Sequence, residues 1–242
     1  MEKHIDNIAK WIQQKVEEAK VDGVVIGLSG GVDSTVTAAL AVKALGRDKV
    51  LGIIMPCESN SNDMTDAISV ARILDIDVKR INLTKVFWDF LYQINQKIGF
   101  IKNSLTSANI KARLRMTALY AFANEKNYFV IGTTNKSEMI LGYFTKYGDG
   151  GVDIEPIADY YKTEIKQIGY ELGLPEKLIE RVPSAGLWNG QSDENELGFS
   201  YDEFDKYHKG EKNILTDGQK NIINNMIKKT EHKRNIPPSY KR

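Results

Sequence analysis

Cysteine and long apolar runs are scarce in this chain of 242 residues. The one cysteine, Cys57, excludes an internal disulfide bond and any zinc site made of four cysteines, and it suits a reducing compartment. No apolar run approaches the roughly 20 residues that cross a bilayer, and the first residues lack the hydrophobic region of a signal peptide. We therefore expect a cytoplasmic protein without a membrane partner.

The chain also lacks an excess of charge of either sign. Its 33 lysines and arginines nearly balance its 32 aspartates and glutamates, so no overall field attracts nucleic acid. With 42% hydrophobic residues, a chain of this length can bury a full core. We expect a single domain over residues 1–242 and no nucleic-acid partner.

An apolar run near the N-terminus breaks into a glycine-rich turn. The β-branched residues Val24–Ile26 predict a buried strand, and the pattern of Thr35–Leu45 predicts the helix after the turn. The turn is thus expected where a strand ends and a helix begins. At that point unpaired backbone N–H groups and the helix dipole bind anions.

The turn lacks the signatures of two common phosphate loops. A Walker A loop needs a lysine directly after its last glycine, where Val32 stands here, and the glycines do not have the G-x-G-x-x-G spacing of a dinucleotide loop. What remains is the pattern S-G-G-x-D-S at Ser29–Ser34. Because a carboxylate repels phosphate unless a cation lies between them, Asp33 is predicted to bind Mg²⁺, which prefers oxygen ligands.

The rest of the chain alternates strand and helix patterns. Strands are predicted at 24–26, 49–55, 77–83, 128–131 and 154–157, and helices at 5–19, 35–45, 65–74, 86–98, 108–124, 163–172, 200–208 and 217–229. This order predicts an α/β fold: a doubly wound parallel sheet of about five strands, with helices on both faces and a helical C-terminal tail.

Three of these segments carry further expectations. The apolar stripe of helix 5–19 packs either on the chain's own sheet or on another subunit, and the sequence leaves that choice open. The apolar and aromatic residues of 86–98 are interpreted as core. Residues 184–196 are polar and without period, which is typical of a mobile lid or a crossing segment.

Several side chains follow strands whose carboxyl ends border one crevice. The main chain around Met55 is expected near adenine. Thr133 is placed to reach phosphate or ribose, and Glu138 to supply a second carboxylate to Mg²⁺. The glycine-rich segment Gly142–Asp153 is predicted to be a binding loop, in which Asp149 either accepts a proton from ammonium or only fixes the turn.

The turn SGGVDS resembles the PP-loop of the N-type ATP pyrophosphatases, whose fold is of the Rossmann-like adenine nucleotide alpha hydrolase type. Over nearly its whole length the chain is similar to the ammonia-dependent NAD synthetases. The segments GLSGGVDS, KARLRM, GTTNKSE, GYFTKYGDGGVDI, PSAGLW and EHKRNIPPS stand in that family's order and approximate spacing. Many family members read GTDHAAE where this chain has GTTNKSE, so only Thr133 and Glu138 are carried over from that motif.

This resemblance implies a ligase reaction. The carboxylate of deamido-NAD attacks the α-phosphorus of ATP, which gives an acyl-adenylate and pyrophosphate, and ammonia then displaces AMP to leave NAD. Lys162 is implied to offset charge at the α-phosphate, and Asp33 and Glu138 to bind Mg²⁺. The implied ATP contacts are Gly27, Leu28, Ser29, Gly30, Gly31, Val32, Asp33, Ser34, Thr133, Lys162 and Ser184. The implied deamido-NAD contacts are Arg113, Lys146, Asp153, His232 and Lys233.

Other interpretations stay open at this point. A PP-loop also serves RNA-modifying enzymes, but thiolation normally needs a cysteine pair and RNA ligases usually carry a basic appended domain. A non-catalytic ATP-binding module would not need Glu138, the FTKYGDGG loop or the C-terminal EHKR motif. The family is dimeric, which implies a homodimer, and a separate glutaminase subunit that supplies ammonia remains an alternative to free ammonia.

Overall fold

The computed structural model describes residues 2–59, 61–101, 104–182 and 193–241. Its elements alternate along the chain in the expected way. In order they are α1 (Glu2–Ala19), β1 (Gly23–Gly27), α2 (Val32–Leu45), β2 (Val50–Ile54), α3 (Ser61–Leu74), β3 (Asp77–Arg80), α4 (Thr84–Ile98), α5 (Ser104–Lys126), β4 (Tyr128–Val130), α6 (Lys136–Leu141), α7 (Lys162–Glu171), α8 (Glu176–Ile179), α9 (Asp193–Leu197), α10 (Tyr201–His208) and α11 (Asp217–Arg234).

The strands form one parallel sheet in the order β3-β2-β1-β4, which confirms the predicted doubly wound fold. Because the chain order reverses between β1 and β4, a crevice opens beyond the carboxyl ends of these two strands. The predicted fifth strand, 154–157, is reduced to one parallel bridge between Ile154 and Ile131. Pro156 has no N–H to continue such a ladder.

The two central strands, β1 and β2, are buried on both faces of the sheet, as expected of β-branched strands, whereas β3 at the edge is largely exposed. Every residue of β2 is buried, and Val24, Val25 and Ile26 of β1 are fully buried. Ile5, Ile8, Ile12 and Val16 of the apolar stripe of α1 join the core where α1 packs against α2, whereas Trp11 and Ala19 are exposed. The open choice for helix 5–19 is therefore decided in favour of packing within the chain.

Helix α4 departs from the expectation that its apolar residues form core. Only Phe87 and Leu91 are buried, whereas Val86, Phe90 and Ile98 are 49%, 47% and 71% exposed. One stripe of a helix faces the core at a period of 3.6 residues, and this helix is apolar on other faces as well. The prediction for 86–98 was thus wrong for its exposed members.

The C-terminal elements form a second small core around α6. Leu141, Phe204 and Ile223 are fully buried there, and α11 runs five residues beyond the predicted end at 229, so the EHKR motif is helical.

Residues 193–197 are helix α9, not irregular as predicted, while 183–192 lie outside the described residues. Within the described part of the chain, no helix is both long and apolar enough to cross a membrane.

A buried carboxylate joins this C-terminal core to the helices that border the crevice. Asp205 on α10 accepts hydrogen bonds from Ser137 Oγ (2.6 Å), from Thr163 N (3.0 Å) and from Thr163 Oγ1 (2.8 Å). Ser137 Oγ in turn accepts a bond from the backbone N–H of Lys162 (3.0 Å). Asp205 therefore fixes the first turns of α6 and α7 relative to each other.

Replacing Asp205 by alanine should lower the free energy of unfolding by about 2–4 kcal/mol, because the donors that it satisfies stay buried. Asp202→Ala on the same helix is the matched control, since Asp202 is exposed and pairs only with Lys206 among the interactions described. That change should cost less than about 1 kcal/mol. Urea denaturation of both variants measures the difference, and equal losses would contradict the assignment.

Candidate active site

The PP-loop connects β1 to α2, and hydrogen bonds within the loop stabilise its conformation. Ser29 Oγ lies 2.9 Å from Ser34 Oγ and accepts a bond from Gly31 N (3.2 Å). Thr35 Oγ1 donates to the carbonyl of Gly31 (2.8 Å). Gly31 is the N-cap of α2 and offers no side chain to cap it, so the first-turn N–H groups are positioned for an anion.

Gly30 is required by the backbone and by its neighbours. Its φ of +77° lies in the left-handed region, which favours glycine. A Cβ there would lie 2.8 Å from Nη1 of Arg181 and 2.9 Å from the backbone nitrogen of Ala67. The loop is therefore packed from behind by α3 and by the segment after α8.

One cavity of about 670 Å³ extends from the PP-loop to α11. It brings together most of the residues that the sequence singled out. These are Gly27, Leu28, Ser29, Gly31, Val32, Asp33, Ser34, Met55, Thr133, Glu138, Asp149, Lys162, His232 and Lys233. Gly30 lies in the same loop but does not line the cavity, and Ser184 lies outside the described residues.

A buried lysine joins two carboxylates at one end of the cavity. Lys162, the first residue of α7, is 4% exposed, and its Nζ lies 2.5 Å from Asp33 Oδ2 and 3.4 Å from Glu138 Oε1. Asn135 Nδ2 donates to the other oxygen of Asp33 (3.0 Å), and Asn135 and Glu138 form a capping box at the start of α6. The carboxylates of Asp33, from the PP-loop, and of Glu138, from α6, thus both contact the ammonium of Lys162.

The electrostatics of this group follow from its burial. Burial raises the pKa of Glu138, Lys162 opposes that rise, and Asp33 adds to it. Burial alone would lower the pKa of Lys162, but Asp33 and Glu138 outweigh it and raise that pKa above its usual range. The lysine therefore stays charged, and the carboxylates have a cation between them.

The same two carboxylates suit a divalent ion. Carboxylate oxygens are hard donors, and the ammonium of Lys162 already shows that a cation is held between them. Among the described residues, no cluster of three or more His, Cys, Asp or Glu side chains is arranged to hold a metal. Asp33 and Glu138 would hold a magnesium ion here, and the ion would neutralise charge on phosphates beside it.

Asp149 lies in the glycine loop that forms another wall of the cavity. Its Oδ1 accepts a hydrogen bond from Thr145 N (3.0 Å), while Gly148 N donates to the carbonyl of Thr145 (2.9 Å). Desolvation by the surrounding protein raises the pKa of Asp149, against the hydrogen bonds from Thr145. The carboxylate therefore fixes the turn and also faces the cavity, so both sequence interpretations have support.

Sequence reasoning missed Glu155. Its carboxyl group lies against Gly132, where a Cβ would come within 2.3 Å of it, and it accepts a bond from Thr134 N (3.2 Å). Burial raises the pKa of Glu155 to about 8, although its hydrogen bonds with Thr134 oppose the rise. Its only signal in the sequence was a charged residue inside an apolar run, at 154–157.

Three of the five implied deamido-NAD residues do not line the cavity. Arg113 donates to the carbonyl of Lys146 (3.2 Å), and Lys146 donates to the carbonyl of His232, so Arg113 and Lys146 form a basic pair outside the cavity, next to His232 on its wall. Asp153 accepts bonds from Val130 N (2.7 Å) and from the hydroxyl of Tyr120 (3.0 Å). Asp153 therefore has a structural role at the end of β4, whatever else binds there.

Lys233 of α11 lines the cavity and is hydrogen-bonded to the glycine loop. Its Nζ donates to the carbonyls of Gly142 (2.7 Å) and Phe144 (2.6 Å). Burial lowers the pKa of Lys233, while Asp149 opposes that change. The helical EHKR motif is thus packed directly on the glycine loop.

Known proteins are similar to this chain over nearly its whole length. Residues 4–237 match the family model described as NAD synthase. The NH(3)-dependent NAD(+) synthetase of Methanocaldococcus jannaschii is 45% identical, over 99% of this chain and 96% of that protein.

Two solved structures have the same fold. NMN synthetase from Francisella tularensis superposes with a TM-score of 0.92 at 34% identity, over 99% of this chain and 98% of that one. NH3-dependent NAD synthetase from Campylobacter jejuni superposes with a TM-score of 0.82 at 29% identity, over the same shares. The match to the family model and the identity to its relatives extend over nearly the whole chain, so this protein belongs to the NAD synthase family.

Proposed function

We propose that the protein makes NAD from deamido-NAD, ATP and ammonia. The observation that carries the proposal is the PP-loop with a buried lysine and two carboxylates at one end of a single cavity. Membership of the NAD synthase family supports the same reaction. The sequence relatives use ammonia by name, and the chain matches 96% of the length of the M. jannaschii enzyme, so ammonia is the proposed nitrogen donor.

The reaction divides into two steps. First an oxygen of the nicotinate carboxylate forms a bond to the α-phosphorus of ATP, and the bond between that phosphorus and the β-phosphate oxygen breaks. The electron pair leaves with pyrophosphate, whose charge the PP-loop N–H groups and the α2 dipole stabilise. Ammonia then attacks the acyl carbon, AMP leaves, and one proton is lost from nitrogen.

Lys162 and the carboxylates have distinct proposed roles in the first step. The ammonium of Lys162 offsets negative charge that develops around the α-phosphate. Asp33 and Glu138 would hold Mg²⁺, which when bound neutralises charge on the phosphates. Both carboxylates line the cavity, and hard oxygen donors suit a divalent ion, which supports this assignment.

Asp149 is proposed to receive the proton of ammonium, because only neutral ammonia attacks a carbonyl. Its raised pKa and its place on the cavity wall support the role. The basic residues Arg113, Lys146, His232 and Lys233 suit the diphosphate of deamido-NAD. Since Arg113 and Lys146 lie outside the cavity, the substrate would extend from the cavity onto the outer surface.

That outer surface suits a homodimer. Exposed apolar side chains are numerous on and after α4, and α5, which packs on α4, carries Arg113. The exposed members are Val86, Trp88, Phe90, Tyr92, Ile98, Phe100 and Leu105. Exposed apolar residues in this number are typical of an interface. We propose that a second copy covers them, beside the outer end of the substrate.

A second candidate substrate is nicotinate mononucleotide. The structure of NMN synthetase from Francisella tularensis is more similar to this chain than that of the Campylobacter jejuni NAD synthetase, with TM-scores of 0.92 and 0.82. Both substrates carry the same carboxylate, so the chemistry is unchanged. Only the contacts beyond the first phosphate differ.

The purified protein should form NAD, AMP and pyrophosphate from ATP, deamido-NAD and ammonium, as detected by mass spectrometry. Nicotinate mononucleotide replaces deamido-NAD in a parallel reaction, and the ratio of the two kcat/KM values decides between the substrates. Glutamine in place of ammonium should give no product. Formation of ADP in place of AMP would contradict the proposed chemistry.

Two carboxylate variants should separate metal binding from ammonia binding, each serving as the control for the other. Glu138→Gln should raise the Mg²⁺ concentration for half-maximal activity by about tenfold or more, because it removes one charged ligand. Asp149→Asn should raise the KM for ammonium and leave the Mg²⁺ dependence unchanged. Titrations of both variants with magnesium and with ammonium measure these effects. Unchanged turnover of Asp149→Asn at every ammonium concentration would contradict its role.

Introducing charge on α4 should dissociate the proposed dimer. Trp88→Glu places a carboxylate on a side chain that is 51% exposed in the single chain, and sedimentation should then report a monomer. Ile73→Lys, at a side chain 48% exposed on α3, is the matched control and should leave the dimer intact. A wild-type protein that sediments as a monomer at micromolar concentration would overturn the proposal.

A further inference from the structure

A cluster of three charged residues lies behind the PP-loop. Asp66 on α3 pairs with Arg181, whose Nη1 lies 3.3 Å from Oδ2, and with Lys177, whose Nζ lies 3.2 Å from Oδ1. The cluster has two positive charges and one negative charge, so it carries a net charge of +1. Arg181 is largely buried, with 22% of its side chain exposed, whereas Lys177 is 81% exposed.

Arg181 is the member of this cluster that reaches the loop. Its Nη1 lies 3.5 Å from the carbonyl oxygen of Ser29 and 2.8 Å from where a Cβ of Gly30 would lie. It lines the same cavity as Gly31 and Ser34, whereas Lys177 does not. Asp66, at 14% side-chain exposure, keeps the guanidinium in this position.

The loop itself supplies no positively charged side chain. A Walker A lysine is absent, because Val32 follows the last glycine of the loop. Lys162 contributes positive charge at the α-phosphate in the proposed reaction, but Asp33 and Glu138 beside it offset part of that charge. A departing pyrophosphate carries several negative charges, and a guanidinium binds phosphate oxygens in a bidentate way that an ammonium does not.

We propose that Arg181 is a further phosphate contact of this enzyme: its guanidinium binds the β- and γ-phosphates of ATP and then the pyrophosphate that leaves. This rests on the proposed function. When the nicotinate oxygen bonds to the α-phosphorus, the electron pair of the broken bond moves onto the β-phosphate oxygen. Arg181 stabilises that charge by hydrogen bonds, and no proton is transferred.

The test is pyrophosphate binding in the presence of magnesium, measured by calorimetry without any turnover. Arg181→Gln should weaken binding of pyrophosphate by about 10- to 100-fold, the loss expected for a hydrogen-bonded charge pair. Arg181→Lys keeps the positive charge but loses the two parallel N–H donors of the guanidinium. Its affinity for pyrophosphate should lie between those of Arg181→Gln and wild type. Lys177→Gln removes a positive charge from the same cluster and should change binding by less than about twofold.

An exchange assay extends the test to the reaction. With deamido-NAD and no ammonia, labelled pyrophosphate should enter ATP, and Arg181→Gln should need a higher pyrophosphate concentration by the same factor. Thermal unfolding of each variant checks that it is folded. If Arg181→Gln binds pyrophosphate as tightly as wild type, or if Lys177→Gln weakens binding equally, the proposal is overturned. Absence of exchange in the wild type would instead overturn the proposed function, while the calorimetric result still decides the role of Arg181.

Discussion

The ion group of Lys162 with Asp33 and Glu138 is the constraint on which the rest of the site depends. A lysine that is 4% exposed needs partners, since an isolated buried charge is costly. Its partners come from the PP-loop and from α6, and the lysine itself begins α7. Three segments that are distant in sequence are therefore held at one point. Asp205 extends this constraint to α10 through Ser137 and Thr163.

The same arrangement explains how one crevice serves two chemical steps. The PP-loop, at which pyrophosphate leaves in the proposed reaction, lies at the end of β1, while Asp149 and the glycine loop form another wall of the cavity. A doubly wound sheet places both at the switch point between β1 and β4. The cavity reaches α11, whose Lys233 packs on the glycine loop, so the C-terminal core is part of the site.

Much of the fold was predictable because local patterns are strong in it. The strand, glycine turn and helix at 23–45 are determined by β-branched residues, by Gly30 with its positive φ and by the apolar composition of α2, most of which is buried. Helix boundaries were less predictable, as α11 shows by continuing through EHKR. The apolar faces of α4 were misjudged because sequence periodicity says that a residue is apolar, not whether another element covers it.

The sequence by itself determined the parallel sheet, the PP-loop without its lysine and many of the residues that line the cavity. Only the tertiary structure decided which of the basic residues face it. Arg113 and Lys146 lie outside the cavity, while Arg181, which no motif marked, lines it behind the loop. The physical reason is that a side chain's partners come from other elements. Arg181 pairs with Asp66 on α3, and Glu155 lies against Gly132 beside the bridge between Ile131 and Ile154, so both contacts join segments distant in sequence, which no local pattern records.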